Sequence, residues 1–433
     1  MSADSVACVL CDGVGRHLSG RRLVIASRLD NLVKSSLRHL QNGESVMDAH
    51  GFVEVAAETA GNDVVFLSDV HASRMLSAAM TRPYQRYSSF FSRFAEWTAF
   101  SVRDDLSFTG ISSCVKGQAD FMRVLEASEP LVSSLSSVLP SYVIFAVSLP
   151  MKNPESYISA YQDFMDSRQQ LATYRAGCRT AAEALDLPAE DIAGFLKLEE
   201  MAAASFKVAG AMERVNLMRI GKDALARLCP DAAAKDYSPA VHRFDYAGLS
   251  SALFGSLFSL NDESCCTFVN GWLVTGSRKA VEEYVVNEAL EYTLADKMKD
   301  SGNGDLLARR PSVLAAYFSL TEDKDLLPEV FSKTVMPHVA SLTDGYDYCP
   351  VVMNAVKGKK HTELHVDLLR TSVKRSKAPL VERDTTVVVP EGPFQVKNSG
   401  TGKMNTFYQN SHMSLCLRED GKDLWGIPFD RRI

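Results

Sequence analysis

The stretch HTELHVD at residues 361–367 places four side chains able to bind a metal or move a proton, His361, Glu363, His365 and Asp367, at alternate positions. If this is a strand, all four share one face while Thr362, Leu364 and Val366 share the other. The outermost pair would then stand about 20 Å apart at the strand rise, so only neighbouring members could share an ion. A solvated face opposite an apolar one is the simpler reading, and no metal ligand is assigned.

Other chemical signals are incomplete. NSGTGKM, around Gly400, Gly402 and Lys403, is similar to a phosphate loop, but Lys397 stands where the motif needs glycine and Met404 where it needs Ser or Thr. DGVGRHLSG follows a strand-like run, yet Leu18 fills the third glycine position of a dinucleotide loop and a second strand comes next. That removes the helix terminus on which the pyrophosphate would sit. Cys8 and Cys11 form a CxxC, but residues three apart in a strand point to opposite faces, and no second CxxC completes a zinc site. Neither G-x-S-x-G nor H-E-x-x-H occurs. No catalytic residue and no cofactor are therefore expected.

One segment has the composition of an interaction surface. TRPYQRYSSFFSRFAEW, residues 81–97, gathers Arg82, Tyr84, Arg86, Tyr87 and Trp97, and such side chains dominate binding hot spots when exposed. Packing of the same aromatics into the core is the competing reading.

Composition narrows the function classes. The 433 residues exceed one core and imply two or three structural units. A formal charge of −6, with no basic run longer than SVKRSKAP, argues against a nucleic-acid partner. The longest apolar run, YVIFAVSL at 142–149, suits a buried strand and falls short of the roughly 20 residues of a membrane span. MSADSVACVL lacks the features of a signal peptide, so the N-terminus by itself reads as that of a cytoplasmic protein or of a chain whose leader has been cut away. Nine scattered cysteines do not read as a disulfide framework and are expected to be reduced and mostly buried.

Periodicity supplies the elements. RRLVIASRLDNLVKSSL at 21–37 and GWLVTGSRKAVEEYV at 271–285 both read as a strand entering a helix, with Ser27 and Ser277 at or near the N-cap. Each is expected to lead to another strand, at 51–59 and 312–320. Hairpins are expected at 97–113, 204–221 and 351–369, centred on Asp104-Asp105, Gly210-Ala211 and Gly358-Lys359, each preceded by a strand and one or more helices. Between Asn153 and about Asp186, Tyr157, Tyr161, Phe164, Leu171, Tyr174 and Cys178 mark one face of a helical run roughly 50 Å long if straight. Beyond residue 376 Gly, Asn and Pro replace helical periodicity, and SLCLREDGKDLWGIPF reads as two strands around Asp420-Gly421.

The fold class expected is thus α+β: tandem modules of antiparallel sheet covered by helices, with a C-terminal all-β segment resembling a truncated propeller blade. The boundaries fall at 1–130, 131–245, 246–376 and 377–433. An isolated blade would expose Phe407, Leu415, Leu417, Trp425 and Phe429, so this segment is expected to dock on the body or on another copy and bury Trp425.

DVHASRMLSAAMTRPY, LPSYVIFAVSLPMKN, FVNGWLVTGSRKAVEEYV and PFQVKNSGTGKMNTFYQNSHMSLCLREDGKDLWGIPFD together resemble an uncharacterised domain-of-unknown-function family of cell-envelope proteins from anaerobic Gram-negative bacteria. The resemblance implies a membrane anchor ahead of Ser2, an exported periplasm-facing α+β region and a propeller-like C-terminal region extending past Ile433. It brings no active site. The leading expectation is a non-enzymatic envelope protein that binds a protein or other envelope partner. The alternatives are a carrier of lipid or another hydrophobic ligand, and a hydrolase whose site is assembled from distant segments.

Overall fold

The computed structural model describes residues 7–12, 22–27, 30–59, 64–82, 84–85, 93–103, 105–113, 120–233, 238–286, 289–358, 362–371, 394–398, 402–409, 414–419 and 422–428. They divide into two units, residues 1–60 and 61–433.

In the first unit β1 (Ala7–Asp12) pairs antiparallel with β2 (Arg22–Ser27), Ala7 opposite Ser27. Two helices follow, α1 (Asp30–Asn42) and α2 (Phe52–Glu58). The strand expected at 51–59 is therefore α2. Phe52 and Val55, three apart and both buried, form a helical stripe, and Ala56, Ala57 and Glu58 are good helix formers that continue the helix.

The second unit opens with β3 (Val64–Ser68), α3 (Asp69–Ala79), the hairpin β4 (Trp97–Val102) and β5 (Ser107–Ser113), and α4 (Phe121–Glu126). Next come β6 (Phe145–Pro150), α5 (Pro154–Ser167), α6 (Leu171–Leu185), α7 (Ile192–Leu196) and the hairpin β7 (Glu200–Val208) and β8 (Ala211–Arg219). After α8 (Lys222–Leu228), β9 (His242–Arg243) and α9 (Leu249–Phe254), the hairpin β10 (Cys265–Val269) and β11 (Trp272–Gly276) leads to α10 (Arg278–Val285) and α11 (Leu294–Asp300). Then β12 (Leu314–Ser319), α12 (Leu327–Val330) and α13 (Met336–Thr343) precede the hairpin β13 (Pro350–Lys357) and β14 (Thr362–Leu368). The last strands are β15 (Phe394–Lys397), β16 (Met404–Gln409), β17 (Ser414–Glu419) and β18 (Lys422–Pro428).

Twelve strands join one antiparallel sheet in the order β3-β4-β5-β14-β13-β12-β6-β7-β8-β11-β10-β9. The three expected hairpins are present, and the strand before each set of helices pairs with the first hairpin strand: β3 with β4, β6 with β7, β12 with β13. Val208 lies opposite Ala211, so the β7–β8 turn is Ala209-Gly210, one residue before its expected centre. Both turn residues have positive φ, 47° and 80°, matching the strand twist as a type I′ turn does. Ser277 caps α10 by accepting from Ala280 N–H at 3.2 Å, while Ser27 is the last residue of β2, shortly before α1. Strand then helix holds at both places, but the first has no strand to follow it because 52–58 is helical.

Helices cover both faces at the sheet centre, which is why β7 reads EMAAASFKV without polar alternation. Val147, Leu149, Met201, Ala203 and Met218 face a core shared with α4 to α9. Ala146, Ala202, Ala204, Val215 and Leu217 face the other core, with Ala280 and Tyr284 of α10 and Leu294 and Met298 of α11. The small alanines let the helix layers approach closely.

The long helical run is two helices. Gln169 adopts φ 59°, Gln169 N–H donates to Asp166 O and Gln170 N–H to Met165 O, both at 2.9 Å, which is a Schellman ending for α5. The aromatic face then folds on itself, Tyr161 against Tyr157 at 5.8 Å and against Tyr174 at 5.3 Å between ring centroids. Tyr174 Oη donates to Leu253 O at 2.9 Å, Tyr157 Oη to Phe254 O at 3.3 Å and Cys178 Sγ to Ala252 O at 3.3 Å, so these side chains satisfy the last carbonyls of α9. Gly255 ends that helix at φ 96°, and a Cβ there would lie 2.2 Å from Tyr161 Oη.

Buried charges staple loops to the sheet. Glu200 accepts from the Ser133 and Ser148 hydroxyls and from Ser134 N–H at 3.0 Å, and burial pushes its carboxyl above the ordinary carboxylate range. Glu263 accepts from Gly248 N–H at 2.7 Å, Thr275 Oγ1 at 2.6 Å and Asn216 Nδ2 at 3.1 Å. Lys297 pairs with Glu322, donates to Ser141 O at 3.0 Å and lies 5.0 Å from the centroid of the Tyr348 ring.

The strands β15 to β18 form a separate antiparallel meander in sequence order. Cys416 and Asn405 are buried, but Trp425 remains 42% exposed, contrary to the burial expected of it. The reason is local: Trp425 occupies the edge strand and meets Phe407 across β17, at 6.2 Å between centroids, which covers only one side of the indole. Leu424 and Ile427 on the same strand are likewise exposed. Cys178, Cys229, Cys265, Cys266, Cys349 and Cys416 are free and buried, as expected, and Cys8, Cys11 and Cys114 have no described side chains.

Candidate functional site

A cleft of about 680 Å³ opens where α5, α6 and the α7 region meet over α9. Pro154 starts α5, which sets the buried stripe Tyr157, Tyr161 and Phe164 toward the core. Glu155, Ile158, Ser159 and Gln162, at spacings of three and four, therefore form the adjacent stripe, and that stripe is one wall. On α6 the buried positions Tyr174 and Cys178 likewise place Ala172, Arg175 and Arg179 on the opposite wall. Ala189, Glu190 and Ala193 close the end, and Leu253 of α9 lies at the floor beside Cys178. A shallower hollow of about 410 Å³ continues from Arg179 and Ala189 past Glu183 and Asp186.

The charges are segregated. Glu155 and Glu190 stand on the α5 and α7 side, Arg175 and Arg179 on α6, and no nitrogen–oxygen pair among the four comes within 4.0 Å. Cleft and charges together leave room for a group bearing both signs. Burial raises the Cys178 thiol above its ordinary range, so the floor offers a neutral thiol already committed to Ala252 O. Among the cleft residues no hydrogen bond joins a serine or cysteine to a base, the arrangement that acyl or phosphoryl transfer would need.

The residues singled out by composition lie elsewhere. β14 spans 362–368 as a strand, with Thr362 and Leu364 buried, and Glu363 reaches His365 Nε2 at 3.3 Å. His361 lies outside the described residues. The third member of this cluster is a cation: Arg310 Nη1 stands 3.0 Å from His365 Nε2 and 3.2 Å from Nδ1. A guanidinium in that place opposes a metal ion, and among the described residues no group of three or more His, Cys, Asp or Glu could hold one.

Burial, then the Arg310 charge, holds His365 below the ordinary imidazole range, with Glu363 and Asp367 pulling the other way. The unfolded chain binds this proton near pH ~6.5 and the folded chain only at lower pH. Stability is therefore unaffected above ~6.5 and falls as the pH drops through the window below it. Urea unfolding at several pH values is expected to show a smaller acid loss in His365→Gln than in the parent; parallel profiles would contradict this assignment.

Thr81 N–H donates to Val330 O at 2.9 Å and Met80 bridges Phe331, so exposed Arg82 and half-buried Tyr84 sit beside α12. Trp97, half-buried, pairs with Ser68 at the start of α3. Eleven helical residues, about 16 Å, separate that point from the chain at Arg82. Arg86 and Tyr87 lie outside the described residues. In NSGTGKM, Gly402 N–H donates to Asn398 O at 2.8 Å beside the paired Lys397 and Met404, and the strand β16 stands where a phosphate loop needs a helix.

Sequence reading missed the cleft because its charged residues look like ordinary solvated helix positions. The available signal was the complement of the Tyr157–Cys178 stripe, which marks which polar positions flank the α5–α6 seam. Comparisons with known protein families, curated proteins and solved structures return no match to this chain.

Proposed function

We propose that this chain is a non-enzymatic binding protein whose α5–α6–α7 cleft receives a segment of a partner protein carrying both an acidic and a basic side chain. The observation that carries this is the pair of oppositely charged walls, Glu155 and Glu190 facing Arg175 and Arg179, held apart across a cleft of about 680 Å³. An acidic group on the partner reaches the guanidiniums, a basic group reaches the carboxylates, and apolar stems cover Ile158, Ala193 and Leu253. The charged rim favours this over a lipid carrier, and the lack of a cleft serine or cysteine hydrogen-bonded to a base favours it over a hydrolase.

The wider reading is that of an envelope protein facing the periplasm, built of tandem α+β modules and a propeller-type blade. The four-strand meander in sequence order supports the blade. Three strand–helix–hairpin units support the modules. The resemblance noted in the sequence supports the placement. Among the described residues no helix is long and apolar enough to cross a membrane.

A photo-crosslinking residue placed at Ala172, on the cleft wall, is expected to capture a discrete protein in the native host, whereas the same residue at exposed Thr180 is not. Equal capture from both positions, or none from Ala172, would defeat the cleft reading. Recovery of the adduct from the cytosol alone would defeat the envelope placement and leave the cleft intact.

A further inference from the structure

α6 carries one stripe of exposed residues, Ala172, Arg175, Arg179, Glu183 and Asp186, at spacings of three and four. The stripe has two poles. Arg175 and Arg179 belong to the cleft, whereas Glu183 and Asp186 line the hollow of about 410 Å³ that continues from it, and Arg179 and Ala189 border both. Cleft and hollow are therefore one groove, whose α6 wall is basic in the cleft and acidic in the hollow. Among the described residues no side chain of opposite charge comes within 4.0 Å of any of the four, although Arg179 and Glu183 stand one helical turn apart.

The acidic pole sits at the unfavourable end of its helix. Carbonyls at a helix C-terminus favour cations, yet the last turn of α6 holds Glu183 and no basic residue, and the helix is capped by Asp186. Arg227 Nη2 donates to Leu185 O at 3.1 Å, which serves one carbonyl and leaves the two carboxylates as they are. A cation brought by a partner would relieve the carboxylates and the helix end together.

We infer, on the reading of the cleft as a binding site, that the partner segment runs lengthwise along α6 in an extended conformation, with a second basic side chain four residues beyond its acidic one seated on Glu183 and Asp186. At the helical rise the two arginines and the two carboxylates are centred about 11 Å apart. Residues four apart in an extended chain stand about 13 Å apart on one face, a match within the reach of long side chains, whereas adjacent residues point to opposite faces. A docked helix would need apolar anchors at i, i+3, i+4 and i+7, and the hollow offers only Ala182, Leu187, Pro188 and Ala189. Charge therefore sets the register of the segment.

The test titrates the full chain calorimetrically with peptides of one composition. Each holds the acidic and basic pair that the cleft takes, and one further lysine placed one, four or eight residues beyond the acidic side chain. The four-residue spacing is expected to bind roughly fivefold more tightly than the other two, the effect of a surface lysine on two carboxylates. In the chain carrying Glu183→Gln and Asp186→Asn, both at exposed positions, the three peptides are expected to bind alike. Equal affinity of the three for the unaltered chain, with Arg175→Ala and Arg179→Ala still weakening them, would overturn this inference and leave the cleft reading standing. A spacing preference that survives Glu183→Gln and Asp186→Asn would also overturn it, because the lysine would then sit elsewhere. No binding of any of the peptides would remove both readings.

Discussion

Gly255→Ala is expected to cost roughly 3 to 5 kcal/mol of stability, combining a backbone conformation that is nearly exclusive to glycine with overpacking. At φ 96° and ψ 176° a side chain is strained whatever the space around it, and here the new Cβ would stand 2.2 Å from Tyr161 Oη and 2.7 Å from its Cζ. The phenol cannot retreat easily, because its ring stacks on Tyr157 and abuts Tyr174. Chemical denaturation followed by circular dichroism measures the loss, and adding Tyr161→Phe should recover only part of it, since Cζ remains. A loss below about 1 kcal/mol would mean that the α9 ending is not a rigid foundation for the cleft floor.

Glu322→Ala is expected to cost a comparable amount, about 3 to 5 kcal/mol, because removing one member of a buried ion pair leaves the other uncompensated. Lys297 and Glu322 side chains are only 13% and 10% exposed. Without the carboxylate, the ammonium keeps the Ser141 carbonyl and the Tyr348 ring, which do not neutralise it. Joint replacement by Lys297→Met and Glu322→Leu should restore much of the stability, since no charge is then stranded. If the single change proved as mild as the double one, solvent would be reaching Lys297 and the pair would count as a surface interaction.

Local features of this fold were legible and non-local ones were not. Ser277 at its N-cap, the three hairpins and the stripe from Tyr157 to Cys178 depend on residues within a few turns of one another, and composition marks them directly. GFVEVAAET failed because Gly-Phe-Val-Glu-Val mimics strand alternation, while the buried pair is Phe52 and Val55 and the alanines that follow favour helix. The order β5-β14 and β8-β11 in the sheet joins segments far apart in sequence, and nothing in either partner names the other. Trp425 was expected inside because it is large and apolar, yet an edge strand can leave an indole half covered against a single phenylalanine. Within HTELHVD, residues 362–367 form the strand expected, but the cation that decides its chemistry, Arg310, comes from a distant loop.

The cleft belongs to the same non-local class. Three helices supply its walls, and each charged residue is unremarkable on its own helix; only the α5–α6 fold-back at Gln169 and the seat on α9 place Glu155 and Glu190 across from Arg175 and Arg179. Isothermal titration of short peptides that differ only in charge tests this most directly. A peptide with one acidic and one basic side chain should bind better than its all-acidic, all-basic and neutral counterparts. Arg175→Ala with Arg179→Ala should weaken it by at least about tenfold, or ~1.4 kcal/mol. Glu155→Gln with Glu190→Gln should remove the preference for the basic group while leaving the acidic one recognised. Equal binding of all four peptides, or undiminished binding by the double arginine variant, would contradict the assignment of the cleft as the binding site.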